Sequence, residues 1–144
     1  VSTVNGPSIV WDTHKDNFNT LKNRLVPPMD QAYAALLDDL EERGLLDTTL
    51  VIWMGEFGRD FSGGNHYAKA WTTGFAGAGV AGGRVVGKTD DKAMTVTDRP
   101  VKVGDFVATI YKALGIDHKK EYHVGARPVP LTDIGTDPIK EVLA

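Results

Sequence analysis

The sequence predicts an α/β fold in which parallel strands alternate with helices, and three features carry that expectation. A short apolar run, Ser8-Ile9-Val10-Trp11, stops abruptly at Asp12. An amphipathic helical pattern follows, and beyond it stands Leu50-Val51-Ile52-Trp53-Met54, continuously apolar instead of alternating. A strand of that kind suits a parallel sheet covered by helices on both faces. Strand, crossover helix and strand form the βαβ unit, whose right-handed connection makes the strands parallel and puts their carboxyl ends on one edge. Open α/β sheets bind ligands beyond that edge, so Asp12, His14 and Glu56 are expected to share it.

The elements follow in order. The strand at 8–11 opens onto Asp12, Thr13 and His14. A polar stretch with Asn17 and Asn19 comes next, and Pro27 and Pro28 are expected to interrupt any helix begun near Phe18 and to start a new one. Met29, Ala32, Tyr33, Leu36, Leu37 and Leu40 repeat at steps of three and four, with acidic residues on the opposite face and Gly44 as the C-terminal cap. The second strand ends at Gly55-Glu56. Residues 61–87 are rich in glycine and hold two weak strand candidates, 71–76 and 84–86. A helix is expected over 104–114, with Val103, Phe106, Val107, Ile110 and Leu114 on its core face and Gly115 as its stop. Arg127-Pro128-Val129-Pro130-Leu131 must be extended, because each proline restricts itself and its predecessor. A short helix from Pro138 closes the sequence. No repeat and no low-complexity linker divides it, so residues 1–144 are read as one unit.

Composition narrows the function. Hydrophobic residues make up 42%, charged residues 24%, and the net charge is -3, which is the balance of a soluble globular protein. Lysine and arginine are scattered among a small excess of acids, so no nucleic-acid partner is expected. The longest apolar stretches are far short of the roughly 20 residues that cross a bilayer, so no membrane span is expected. With no cysteine there are no disulfides, thiolate metal ligands or cysteine nucleophile. Val1 is not an initiator methionine, which leaves a preceding region or targeting segment open.

Asp12-Thr13-His14 sets a carboxylate and an imidazole two residues apart at a strand exit, close enough to bind one divalent metal. The competing reading is an Asp that caps a turn beside an exposed His. Glu56 sits in Gly55-Glu56-Phe57-Gly58-Arg59, where the glycines let backbone approach a ligand and Arg59 can hold an oxyanion bidentately; otherwise the two order the loop as an ion pair. His66 lies in a loop able to fold back over the strand ends and add a nitrogen ligand. His118 and His123, after the second helix, read as surface residues. Ser2, Ser8 and Ser62 lack the surroundings of a nucleophile elbow. Gly87-Lys88-Thr89 lacks the preceding glycine spacing and the following helix of a phosphate-binding loop.

Taken together, the motifs resemble the DUF1501 family of bacterial proteins, within the alkaline phosphatase and sulfatase superfamily. The marks are Trp11-Asp12-Thr13-His14, the Leu-Leu-Asp-Asp-Leu helix leading to Gly44-Leu45-Leu46-Asp47, Gly55 to Arg59, His66 before Trp71, Asp98-Arg99-Pro100, Ala108-Thr109-Ile110-Tyr111, and Gly125 to Leu131. The resemblance runs nearly end to end. It implies a three-layer α/β/α domain with a parallel sheet, of which this chain is the C-terminal part, the nucleophile belonging to an N-terminal half.

The implied activity is hydrolysis of a sulfate or phosphate ester at a two-metal site, zinc foremost, with manganese or calcium as alternatives. Asp12, His14 and His66 would take the place of one metal's ligands, Glu56 would stand where relatives put an Asp-His pair on the other, and Arg59 would contact the ester oxyanion. The alternative is a truncated or degenerate module that binds a ligand or partner without turnover. Three departures from the family pattern stand out: a short Asp-to-His spacing, a shortened segment between Arg59 and His66, and Asn65 where relatives carry Asp. A partial sheet also implies an exposed edge through which two copies pair. By resemblance the address is periplasmic or secreted, with no signal in this sequence.

Overall fold

Helix formation starts at Asn17 and continues, in a computed structural model describing residues 11–61 and 64–144, as one helical rod to Glu42. The rod comprises α1 (Asn17–Thr20), a π-helical turn (Leu21–Leu25) and α2 (Val26–Glu42). The expected break at Pro27 and Pro28 does not occur. Both prolines fall in the first turn of α2, where their missing N–H groups disturb the ladder least, and the π turn lets the Val26 N–H reach back to Leu21 O. All of 8–11 except Trp11, together with Ser2, Ser8 and Ser62, lies outside the described residues.

Gly44, at φ +65°, ends α2 as expected. Its N–H bonds Glu41 O at 2.9 Å while the Leu45 N–H bonds Leu40 O at 2.8 Å, the paired closure of a Schellman motif. Met29, Tyr33, Leu37 and Leu40 are half-buried, whereas Ala32 and Leu36 of the same expected face lie open to solvent. The Trp53 Nε1–H points at Met29 Sδ, 3.1 Å away, and ties the rod to the next strand.

That strand, β1 (Leu50–Trp53), pairs antiparallel with β4 (Gly74–Gly77), in register Leu50↔Gly77 to Trp53↔Gly74. The parallel partner expected for it is not found among the described residues. The chain returns to β1 through a short hairpin, β2 (Gly58–Arg59) with β3 (His66–Tyr67), and not through a crossover helix, so β4 runs opposite to β1. Gly77 permits the close return: at φ +91°, a Cβ there would stand 2.0 Å from Thr49 O.

The remainder is β5 (Lys88–Thr89) antiparallel to β6 (Val96–Asp98), α3 (Val103–Ala113), and the hairpin β7 (Glu121–Val124) with β8 (Arg127–Pro130). The architecture is thus mixed α/β, with one long helical rod and four two-stranded antiparallel sheets among the described residues. Of the two weak strand candidates, 71–76 overlaps β4, while 84–86 stays unpaired and pairing begins only after Gly87 turns the chain at φ +86°. Lys88-Thr89 is a strand followed by no helix, which agrees with its rejection as a phosphate-binding loop. No described helix is long and apolar enough to cross a membrane.

α3 packs on β4 through Phe75 and Phe106, whose rings lie 5.1 Å apart. Its buried arc is Phe106, Ala108 and Thr109, while Val103 and Leu114, expected in the core, are exposed at its two ends. The arc is set by the segment that crosses it. Thr109 Oγ1 donates to Asp105 O at 2.6 Å and accepts the Ile139 N–H at 2.8 Å, and the Asp137 N–H reaches Asp105 Oδ1 at 3.1 Å. Leu25, Ala70, Phe106, Ala108 and Ile139 are the buried apolar side chains of the described residues.

His118 is not on the surface as expected. Residues 131–136 fold back over it, with the Thr132 hydroxyl donating to His118 O at 3.0 Å, and its Nε2 is buried without a hydrogen-bond partner among the described residues. His123 is exposed on β7. Residues 127–130 are extended, as their prolines require. The helix expected from Pro138 is a single 3-10 turn (Lys140–Val142), beyond which the Ala144 N–H bonds Gly79 O at 3.1 Å.

Candidate metal centre

The short hairpin builds the site. Its register sets Arg59 opposite His66, and the turn between them closes through Asp60 and Asn65. The Asp60 N–H donates to Asn65 O at 3.0 Å, and Asn65 returns its backbone N–H to Asp60 Oδ1 at 3.1 Å and its amide to Oδ2 at 2.9 Å. An Asp at 65 would set two carboxylates face to face, whereas the Asn65 amide supplies the donor that Asp60 accepts.

Two glycines bring the hairpin into place. A Cβ on Gly58 would stand 2.0 Å from Ala70 O, and one on Gly64, at φ +76°, would stand 2.7 Å from Thr13 O and 2.8 Å from Asn17 Cβ. The turn therefore rests directly on the buried Thr13 and Asn17, whose side chains hydrogen-bond one another. Thr13 thereby fixes its neighbours Asp12 and His14 beside the hairpin.

Asp12 is the hub. Its Oδ1 lies 2.6 Å from Arg59 Nη2, 2.9 Å from His66 Nε2 and 3.0 Å from His14 Nε2. The hydrogen bond from Arg59, and after it that from His66, hold the Asp12 carboxyl well below the usual carboxylate range; partial burial opposes them, and the electrostatic effects of the neighbouring His14 and Arg59 add smaller contributions in the lowering direction. The group is ionised throughout the physiological range. Arg59 is anchored in turn by donating Nη1–H to Gly64 O at 2.8 Å and Nη2–H to Trp11 O at 3.4 Å, and its guanidinium stands 5.7 Å over the Phe57 ring. Phe57 also stacks on His66, with ring centroids 4.1 Å apart.

One carboxylate oxygen and one nitrogen from each of His14 and His66 all lie within 4.8 Å of one another. Ligand atoms about 2.0–2.2 Å from a tetrahedral zinc are separated by about 3.3 Å, so the 2.9 and 3.0 Å spacings require only small adjustment. Two imidazoles and one carboxylate suit zinc and leave a fourth position for water or substrate. The three side chains are each about half-exposed, at 50, 48 and 53% for His14, His66 and Asp12, so an ion has access from solvent.

The cluster opens on a cleft of about 790 Å³ walled by Trp11, Trp53, Phe57 and Trp71. Glu56 lines the same cleft but stands outside the three-ligand cluster. The structure therefore brings Asp12, His14, Arg59 and His66 into contact and sets Glu56 apart. Sequence reasoning passed over Thr13, Asn17 and Gly64, which carry the cluster from beneath; the one signal was a glycine two residues before a candidate ligand. Fold and cleft together define a mixed α/β protein with an Asp-His-His-Arg cluster at the mouth of an aromatic-walled cleft. The chain belongs to the family described as protein of unknown function, DUF1501, whose model matches residues 1–143. No curated protein and no solved structure matches it.

Proposed function

We propose that the cluster is a divalent-metal site, zinc foremost, and that the chain is the C-terminal part of an exported alkaline-phosphatase-like hydrolase of sulfate or phosphate esters. The observation that carries this reading is the convergence of Asp12, His14 and His66 on one point at the wall of a cleft. A bound divalent ion supplies Lewis-acid polarisation of the ester oxygens. The chain's own residues bind and orient, while the nucleophile falls to the N-terminal half. Asp12, His14 and His66 hold the ion, Arg59 keeps Asp12 ionised and oriented and offers guanidinium charge to the ester oxyanion, and Glu56 offers a carboxylate for a second ion. A parallel three-layer sheet would be completed by further strands along the edge of β1 that is unpaired among the described residues, and until it is covered two copies would pair there.

Metal content by plasma mass spectrometry, on protein purified without chelator, tests the site. Near-stoichiometric metal in the wild type that is lost in both Asp12→Ala and His66→Ala supports it and justifies screening esters; a metal-free wild type removes it. A second reading, ligand binding without turnover, draws on the commitment of Arg59 to Gly64 O, Trp11 O and Asp12, which leaves it less free to meet an oxyanion. Ester turnover that falls sharply in Arg59→Ala, with metal retained, would end that reading.

A further inference from the structure

The cleft does not stop at the metal cluster. Ala70, Trp71, Thr72 and Thr89 line it and also line a second recess of about 280 Å³ behind them, so the two are contiguous. The apolar lining of the recess is the exposed Val96, the half-buried Val101 and Trp71, and the buried Phe106. Its rim is basic. Lys69, Lys88 and Lys102 are all exposed and make no ion pair among the described residues. The fourth cation, Arg99, is spent on Glu141 at 2.7 and 2.9 Å.

No Asp or Glu lies among the described residues lining the recess, in a protein whose net charge is -3. Three lysines without an ion pair among the described residues, beside an apolar lining, depart from the scattered charge of the rest of the chain. Such a rim attracts anions, and the lining takes flat apolar groups in a volume close to the lower limit, about 300 Å³, of small-molecule pockets. We infer that this recess is a binding subsite for an aromatic or similarly apolar group bearing a negative charge, so that the ester handled by the neighbouring cluster has a bulky apolar leaving group with a second anionic substituent. The assignment to a leaving group rests on the hydrolase reading; the binding itself is read without it.

Calorimetric titration of the full chain with naphthalene sulfonate, neutral naphthol and inorganic sulfate tests the subsite. The wild type should bind naphthalene sulfonate about tenfold tighter than either partial probe, since three exposed lysines each contribute a modest factor. Lys69→Gln/Lys88→Gln/Lys102→Gln, changed only at exposed positions, should lose the advantage over naphthol. Asp12→Ala, stripped of the proposed metal ligand, should keep it. Equal affinities in the wild type, an unchanged preference in the triple variant, or loss of the preference in Asp12→Ala would each overturn the subsite. A metal-free wild type that still prefers naphthalene sulfonate would defeat the hydrolase reading and leave the subsite standing.

Discussion

Arg59 and Asp12 are 47 residues apart in the chain and meet at 2.6 Å, the guanidinium donating to the same carboxylate oxygen that both imidazoles approach. Arg59 also holds Gly64 O and Trp11 O, so one side chain fastens the hairpin to the Asp12 loop. Arg59→Ala is expected to lower stability by about 1–2 kcal/mol from the part-buried Gly64 carbonyl contact alone. Arg59→Lys should recover little of it, because an ammonium cannot span the fork. Urea denaturation of the three proteins checks the order.

Metal binding to the folded chain should raise its melting temperature. At a free zinc concentration about a hundredfold above the dissociation constant, linkage gives about 2.7 kcal/mol, a rise on the order of 5–10 °C for a domain of this size. Chelator should reverse it, and His14→Ala should show no rise. Differential scanning calorimetry with and without zinc makes the comparison, and an unmoved wild-type transition would count against the site.

Gly58→Ala places a methyl 2.0 Å from the carbonyl oxygen of Ala70, a clash with backbone that no side-chain rotation relieves. The strand must shift, at a cost of about 1–3 kcal/mol, and Arg59 shifts with it. The variant should therefore lose metal affinity as well as stability, although residue 58 carries no ligand. Metal retention equal to wild type in a folded Gly58→Ala would show that the hairpin tolerates the displacement.

Thr109 is fully buried and bridges Asp105 O to the Ile139 N–H. Thr109→Val keeps the shape, removes the hydroxyl and strands that N–H, at an expected cost of about 1–3 kcal/mol. Exchange of the Ile139 amide with deuterium should accelerate well beyond the global change.

Arg99 hydrogen-bonds Glu141 and pushes its carboxyl down to about 2 from an ordinary value of 4.5, while Glu141 raises Arg99. A folded-state value below the unfolded one contributes stability that is fully present above about pH 4.5 and is lost as pH falls toward 2. The melting temperatures of wild type and Glu141→Gln should differ at pH 6 and converge as the pH falls through this window. A constant difference across it would break the linkage to this pair.

The helical pattern of 29–40 and 104–114, the glycine stops at 44 and 115 and the extended 127–131 were all legible, because each depends on local periodicity or on one residue's conformational limits. Strand partners were not. Leu50 to Met54 reads as a parallel strand since nothing in five apolar residues says that Gly74–Gly77 will return beside them, and that return depends on a glycine at 77 judged against a carbonyl at 49. Pro27 and Pro28 misled for a related reason: a π turn, invisible in composition, absorbs them. In the candidate site, Asp12, His14 and His66 were identifiable by residue type and motif order. Their support by Thr13, Asn17 and Gly64 was not, because it exists only as distance.

The cluster's two halves, Asp12 with His14 and His66 with Arg59, are separated in the chain by the whole helical rod and by β1. During synthesis the first half emerges long before the second, and no ligand set exists until the hairpin has formed and docked. An ion shared by both halves would then act as a late clasp on a loop of about fifty residues, holding native protein closed more effectively than it helps the chain collapse. Its clearest signature would be a slower unfolding rate with little change in the rate of folding.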